Sequence, residues 1–204
     1  MIFKNALLSV FPDKTAIKLL KALCRTQGLH SGRAIARMAG INHQACSSEL
    51  KKLIPLGVIK TGGSGRTALY GLSMDHIIVR KIIEPVFKAE ESLKDELGAD
   101  LAGICKAEVV SIILFGSVAK GSETSGSDID IMLVVKNADK KAATADKLHK
   151  AAGFFIGKYG NVVSPAIMSV YEFCGGYGKK NALIMNIFRT GTVIHGKNMG
   201  ELIK

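Results

Sequence analysis

No apolar run in this sequence is long enough to cross a bilayer. The longest, Val109–Phe115 and Ile131–Val135, fall well short of the roughly 20 residues that a spanning helix needs. The N-terminal stretch MIFKNALLSVFPDK has no basic start, no long apolar segment and no small-residue cleavage site, so a signal peptide is not expected. Cysteine is scarce, and the four present (Cys24, Cys46, Cys105, Cys174) are scattered, with no C-x-x-C pair. They read as small buried hydrophobes of a reducing cytosol, which makes a cytoplasmic protein without a membrane partner the expectation. Internal repeats and low-complexity tracts are missing as well. Acids are thin in the first third. Residues 1–75 carry eleven Lys and Arg against three acids, a net +8, whereas the other 129 residues carry seventeen against fourteen, a net +3. A basic excess confined to one region points to a polyanion partner there, because phosphate contacts supply most non-specific nucleic-acid affinity. The plainer reading is a generally basic soluble protein. With 204 residues and 48% hydrophobic content, there is material for one large domain or two small ones around a real core.

Three segments follow from periodicity and punctuation. In the first, 1–74, Ile17, Leu19, Leu20, Leu23 and Cys24 mark a helix over Thr15–Thr26. Ser31 reads as the N-cap of a short helix Gly32–Met38, and Asn42 as the cap of a helix His43–Ile54 ended by Pro55 and Gly57. Val58–Thr61 and Thr67–Tyr70 then flank a glycine-rich tip, a hairpin. The second segment, 75–104, reads as one long linking helix with Pro85 as a kink or break and Glu90, Glu91, Asp95 and Glu96 as a solvated acidic face. The third, 105–204, alternates strand (Val109–Phe115), Gly-rich turn, strand (Asp128–Val135), helix (Ala138–Lys158), strand (Asn161–Val170), helix (Lys180–Thr190) and a short strand (Thr192–His195).

In the first segment, Ala36 is small where a second helix must cross, Gly40 permits a sharp turn, and Ile41, Cys46, Leu50 and Leu53 face inward. This leaves His43, Gln44, Ser47, Ser48 and Lys51 outward. The stretch resembles a helix-turn-helix, and the hairpin completes the likeness to a winged helix. The resemblance implies binding of double-stranded DNA through Arg33, His43, Gln44, Ser47 and Lys51, with Lys60 and Arg66 on backbone phosphates. It also allows a homodimer, since such readers often meet two half-sites. The alternative is a three-helix bundle used for protein contacts. His30 and His43 have no partner at metal-ligand spacing and read as surface or cap residues.

The segment from Leu114 to Val134 carries the chemistry. An apolar strand ends in Gly116-Ser117, where glycine lets a backbone approach phosphate and a hydroxyl with free N–H groups completes the grip. Lys120 adds a cation. Asp128 and Asp130 are two apart on a strand, so both carboxylates share one face, the usual seat for an oxygen-liganded divalent ion. Ten residues, Val118–Ser127, separate the two halves. This ordered set resembles the DNA polymerase beta-type nucleotidyltransferase superfamily, in particular its small prokaryotic members with Gly-Ser-x-Ala-Arg/Lys-Gly and Ser-Asp-Ile-Asp. The fold so implied is α+β or α/β: an N-terminal winged helix-turn-helix plus a small nucleotidyltransferase-type mixed sheet flanked by helices. The resemblance implies a nucleoside triphosphate held by Gly116, Ser117, Lys120 and Ser127, Mg2+ or Mn2+ held by Asp128 and Asp130, and Asp128, Asp130 and Ser117 as the catalytic set.

One departure stands out. Active members of that superfamily carry a third carboxylate on a later strand, and the matching stretch here, Asn161–Val170, contains no acid. Glu172 shares parity with Ser164 but lies roughly 26 Å along an extended chain. Glu108, just before the first strand, is the other acid to consider. Two functions therefore stand side by side: Mg2+-dependent transfer of a nucleoside monophosphate to an acceptor hydroxyl, and a regulator that senses nucleotide without turning it over. An antitoxin-like partner role, known among small nucleotidyltransferases, has no feature of its own in the sequence.

Overall fold

The structure, a computed structural model, describes residues 5–63 and 68–204. The chain divides into two compact units, Met1–Glu91 and Ser92–Lys204. In the first, helices α1 (Ala6–Val10), α2 (Lys14–Arg25), α3 (Gly32–Ala39) and α4 (His43–Leu53) precede an antiparallel sheet of β1 (His30–Ser31), β3 (Leu69–Leu72) and β2 (Ile59–Gly62), in that spatial order. The caps explain the boundaries. The Ser31 hydroxyl accepts from the Ala34 N–H at 3.3 Å, and Asn42 Oδ1 accepts from the Ala45 N–H at 2.7 Å, filling donors that each helix start leaves open. Gly40 ends α3 at φ +61°, a conformation that costs glycine nothing. Leu19, Leu20, Leu23, Ile35, Ala36, Cys46, Leu50, Leu53 and Val58 form the core between these elements. Helix α1 and strand β1 were not foreseen from the sequence; a five-residue helix and a two-residue strand carry too little periodicity to register.

One acid lies inside this core. Glu49 is 4% exposed; Lys52 donates to its Oε1 at 2.5 Å, while Oε2 is buried with no hydrogen-bond partner among the described residues. The expected long helix starts with a π-helical turn, Val79–Ile83, and continues as α5 (Glu84–Cys105). Pro85 accounts for the irregular turn, since it has no N–H for the carbonyl four residues back. The four acids of the expected solvated face are all exposed, and Glu90 and Glu91 also pair with lysine or arginine. Glu90 accepts from Lys21 at 2.7 Å and Glu91 from Arg25 at 2.9 Å.

In the second unit, β4 (Val109–Leu114), β5 (Ile129–Val135), β6 (Val163–Ser169) and β7 (Thr192–Gly196) form a mixed sheet in the order β6-β5-β4-β7. β5 runs parallel to β6 and antiparallel to β4, and β7 is antiparallel to β4. Both faces are covered. Leu97, Leu101 and Cys105 of α5 and Phe155 of α8 (Ala152–Tyr159) pack on Ile112, Leu114, Ile129, Ile131 and Leu133. Phe173 of α9 (Val170–Gly178), with Ile184 and Ile187 of α10 (Ala182–Thr190), packs on Ile113, Met132 and Val134. The expected single helix Ala138–Lys158 is two, α7 (Lys140–Lys150) and α8, parted at Ala151. α8 is held by Asp100, which accepts from Lys158 Nζ at 2.6 Å and from the Tyr159 hydroxyl at 2.7 Å. A helix α11 (Met199–Leu202) closes the chain.

β6 is an edge strand. The Ile129 N–H donates to the Val162 carbonyl, so even-numbered residues of β6 face β5 and the odd ones, Pro165 among them, face the open edge. All four cysteines are free. Burial pushes the Cys24 and Cys105 thiols up to about 11, as befits inert packing groups. Among the described residues, no helix is long and apolar enough to cross a membrane.

Candidate nucleotide and metal site

β4 delivers the chain to the site. After Leu114, the Phe115 N–H donates to the Asp130 carbonyl at 3.0 Å, which ties the turn to β5. Gly116 follows at φ +73° and opens the short helix α6 (Gly116–Lys120). A Cβ at this position would overlap Oδ2 of Asp130, so glycine is required twice, by the backbone angle and by the carboxylate lying against it. Ser117 is half-buried and its hydroxyl has no partner among the described residues; its carbonyl accepts from the Ser122 N–H at 3.1 Å and closes the turn. Lys120 is exposed and enters no ion pair among the described residues.

Asp128 immediately precedes β5 and is exposed; Asp130 is half-buried on the strand. Asp130 has the parity of Met132 and Val134, so it points to the face covered by α9 and α10, at the end where that cover stops. Burial raises the Asp130 carboxyl above the ordinary carboxylate range, and the nearby charge of Asp128 raises it further. No cation pairs with either acid among the described residues. A half-buried carboxylate with a like charge beside it and no counterion suits a hard divalent ion with oxygen ligands.

Ser127, expected among the nucleotide ligands, holds its own loop together. Its hydroxyl accepts from the Thr124 N–H at 2.9 Å and lies 3.1 Å from the Thr124 hydroxyl, locking the loop between α6 and β5. Asn161 fixes the same loop, donating to the carbonyls of Ser125 at 3.2 Å and Ser127 at 2.7 Å. Sequence reasoning had placed Asn161 at the start of a strand and missed this. Its position directly after Gly160, with a side chain able to bridge two carbonyls, was the only available signal.

The strand on which a third acid was expected, Asn161–Val170, contains β6, the neighbour of β5. Asp130 is level with Ser164 on the parallel neighbour β6, and level residues on parallel strands share a face. Ser164 is exposed. Glu172 and Glu108 are both at the other end of β5: Glu172 follows Ser169, the partner of Val135, and the Glu108 carbonyl accepts from the Lys136 N–H at 3.1 Å. Each is occupied by a lysine. Among the described residues, no group of three or more His, Cys, Asp or Glu comes together as a metal site.

Residues 99–170 match the nucleotidyltransferase domain family. Two proteins of Methanocaldococcus jannaschii, both named as candidate protein adenylyltransferases, are similar in sequence. MJ1305 is 31% identical over 96 residues, 47% of this chain and 58% of that protein; MJ0141 is 33% identical over 72 residues, 35% of this chain and 72% of that protein. The chain belongs to the nucleotidyltransferase superfamily. It spans a little over half the length of the first of these relatives. A solved structure described as a toxin–antitoxin with AMP-PNP aligns with 54% of this chain and 81% of that one at 19% identity. Its TM-score of 0.35 is too low to carry an argument.

Outside the nucleotidyltransferase region, the first unit presents Arg33, His43, Gln44, Lys51 and Lys60 exposed and Ser47 half-buried. Arg66, expected on the hairpin tip, lies outside the described residues.

Proposed function

We propose that the nucleotidyltransferase unit transfers a nucleoside monophosphate from a nucleoside triphosphate to an acceptor hydroxyl. The observation that carries this is the placement of Gly116 against the Asp130 carboxylate, which joins the phosphate turn and the acidic pair into one site. Asp128 and Asp130 hold Mg2+ or Mn2+, which when bound draws charge from the phosphates. Gly116, Ser117 and Lys120 hold the triphosphate. The acceptor oxygen attacks the α-phosphorus, its bond to the bridging oxygen of the β-phosphate breaks, pyrophosphate leaves, and the acceptor proton passes to water. The names of the two relatives favour ATP as donor and a protein hydroxyl as acceptor. Incubating the protein with each labelled nucleoside triphosphate and Mg2+ or Mn2+ tests this: label from ATP on protein in the wild type, and none in Asp128→Asn or Asp130→Asn. Equal labelling by the variants would remove the assignment.

A second reading is a regulator that senses nucleotide without transfer, and Ser164 favours it. With a hydroxyl level with Asp130, the site holds two acids and no evident base toward the acceptor. In both readings the first unit acts as a winged helix-turn-helix on double-stranded DNA, as a monomer or homodimer, with Arg33, His43, Gln44, Ser47, Lys51 and Lys60 on the duplex. Support comes from its charge and from the exposure of all of those side chains but the half-buried Ser47 on α3, α4 and β2. Tight, salt-dependent duplex binding with no labelling by any nucleotide would decide for the regulator.

A further inference from the structure

The first unit has a cleft of about 430 Å3 between the start of α3, the start of α4 and β3. Gly32 forms its floor; a Cβ there would stand 3.7 Å from His43 Nε2, 3.8 Å from Tyr70 Cε2 and 3.9 Å from Leu50 Cδ1. Arg33, His43, Ser47 and Tyr70 line it, and among the described residues no acid does. None of these four side chains has a hydrogen-bond partner among the described residues, although Ser47 and Tyr70 are half-buried. Four donors left open around one acid-free cleft, in a unit with fourteen Lys and Arg against six acids, select a ligand that is all acceptor and negatively charged.

We infer that this cleft binds a phosphate group, namely one phosphodiester of a duplex backbone together with its flanking sugar. The inference rests on the DNA-binding reading and deepens it. Arg33 supplies the charge, while His43, Ser47 and Tyr70 donate to the phosphate oxygens. Leu50 and the bare Gly32 floor give the sugar an apolar seat. This is a positioning contact, which fixes where α4 lies on the duplex and carries no sequence information. The chemistry has a second source, free phosphate, and the two are separable by experiment.

Duplex binding by the full chain is measured by fluorescence anisotropy across a salt series. Ser47→Ala combined with Tyr70→Phe removes two neutral donors, so affinity should drop about ten-fold on every sequence with the salt slope unchanged. Arg33→Ala should lower the slope by about one. Gly32→Ala is the decisive variant. The added methyl makes only ordinary contacts within the protein, so the melting temperature should hold, yet it fills the floor and should lower duplex affinity as far as the double variant does. If both cleft variants bind like the wild type while Lys51→Ala weakens binding, the cleft inference is overturned and the DNA reading stands. If the wild type binds no duplex, inorganic phosphate is the second probe, followed through the His43 imidazole signals by NMR. Shifts in the wild type that vanish in Gly32→Ala keep the phosphate cleft with free phosphate as its source. No shift with phosphate and no duplex binding overturns the inference together with the reading beneath it.

Discussion

Where β5 ends, Glu108 and Glu172 each lie 2.9 Å from a lysine, Lys147 and Lys141 respectively. Where it begins, Asp128 and Asp130 have no counterion among the described residues. The consequence is visible in the titration of the two ends. The hydrogen bond from Lys141, then the Ser169 N–H, holds the Glu172 carboxyl down at about 2, while burial and Asp128 lift that of Asp130. The acids near one end of β5 are thus neutralised by lysines, and those at its start are not. Acids kept costly in the free protein are the ones a ligand can reward.

The comparison breaks most readily at the open end. Asp128→Asn or Asp130→Asn should lower transfer about 10³-fold, through loss of the metal that stabilises transition-state charge. The Asp130 variant has an opposite effect on the free protein. A carboxyl raised above its ordinary value costs stability above its folded pKa and nothing below 3.8, so Asp130→Asn should melt higher than wild type at neutral pH without ligand. Melting lower would contradict the picture of an unpaid acid. Gly116→Ala comes next. Strain at φ +73° and overlap with the carboxylate should displace Asp130 and lower transfer about 10²-fold, and ATP with Mg2+ should raise the melting temperature of the wild type and not of the variant. Ser164→Asp sharpens the contrast by adding a third acid level with Asp130. Calorimetry should show Mn2+ bound on the order of ten-fold more tightly, and the metal-free protein should melt lower from added like-charge repulsion. Unchanged Mn2+ affinity would mean that Ser164 does not face the acidic pair. The smallest effect belongs to the closed end. Since the folded-state pKa of Glu172 lies below its ordinary 4.5, its contribution is present above that value and is lost as pH falls toward about 2. Glu172→Gln should melt lower than wild type at pH 6, with the difference shrinking as pH falls from 4.5 through about 2, as followed by circular dichroism.

The strand-turn-strand that carries Gly116, Ser117, Asp128 and Asp130 was legible in the sequence because its parts are local, although β5 begins at Ile129, one residue after the expected start, which leaves Asp128 just before the strand. The caps at Ser31 and Asn42 were legible for the same reason. The closed end was not. Ser169-Val170-Tyr171-Glu172 is a capping box that starts α9, with the Ser169 hydroxyl accepting from the Glu172 N–H at 3.2 Å and the Glu172 carboxylate from the Ser169 N–H at 2.8 Å. Read as the tail of a strand, it concealed a helix and made Glu172 a candidate metal ligand. The Glu108–Lys147 pair joins residues 39 apart, which no local pattern reveals. Nor could spacing disclose that Ser164 is level with Asp130, since register between parallel strands is set by packing of the helices joining them.

Pro165 bears on how an acceptor would arrive. Its nitrogen faces outward from β6 and has no hydrogen to give, so along the rim beside the acids the outward donors of Val163 and Ile167 are left with a gap between them. An incoming polypeptide could not zip onto that border as a fifth strand without leaving a carbonyl unmatched. A target hydroxyl would therefore have to be offered from a loop or a side chain reaching over the mouth of the site, and a flat segment running alongside would be refused.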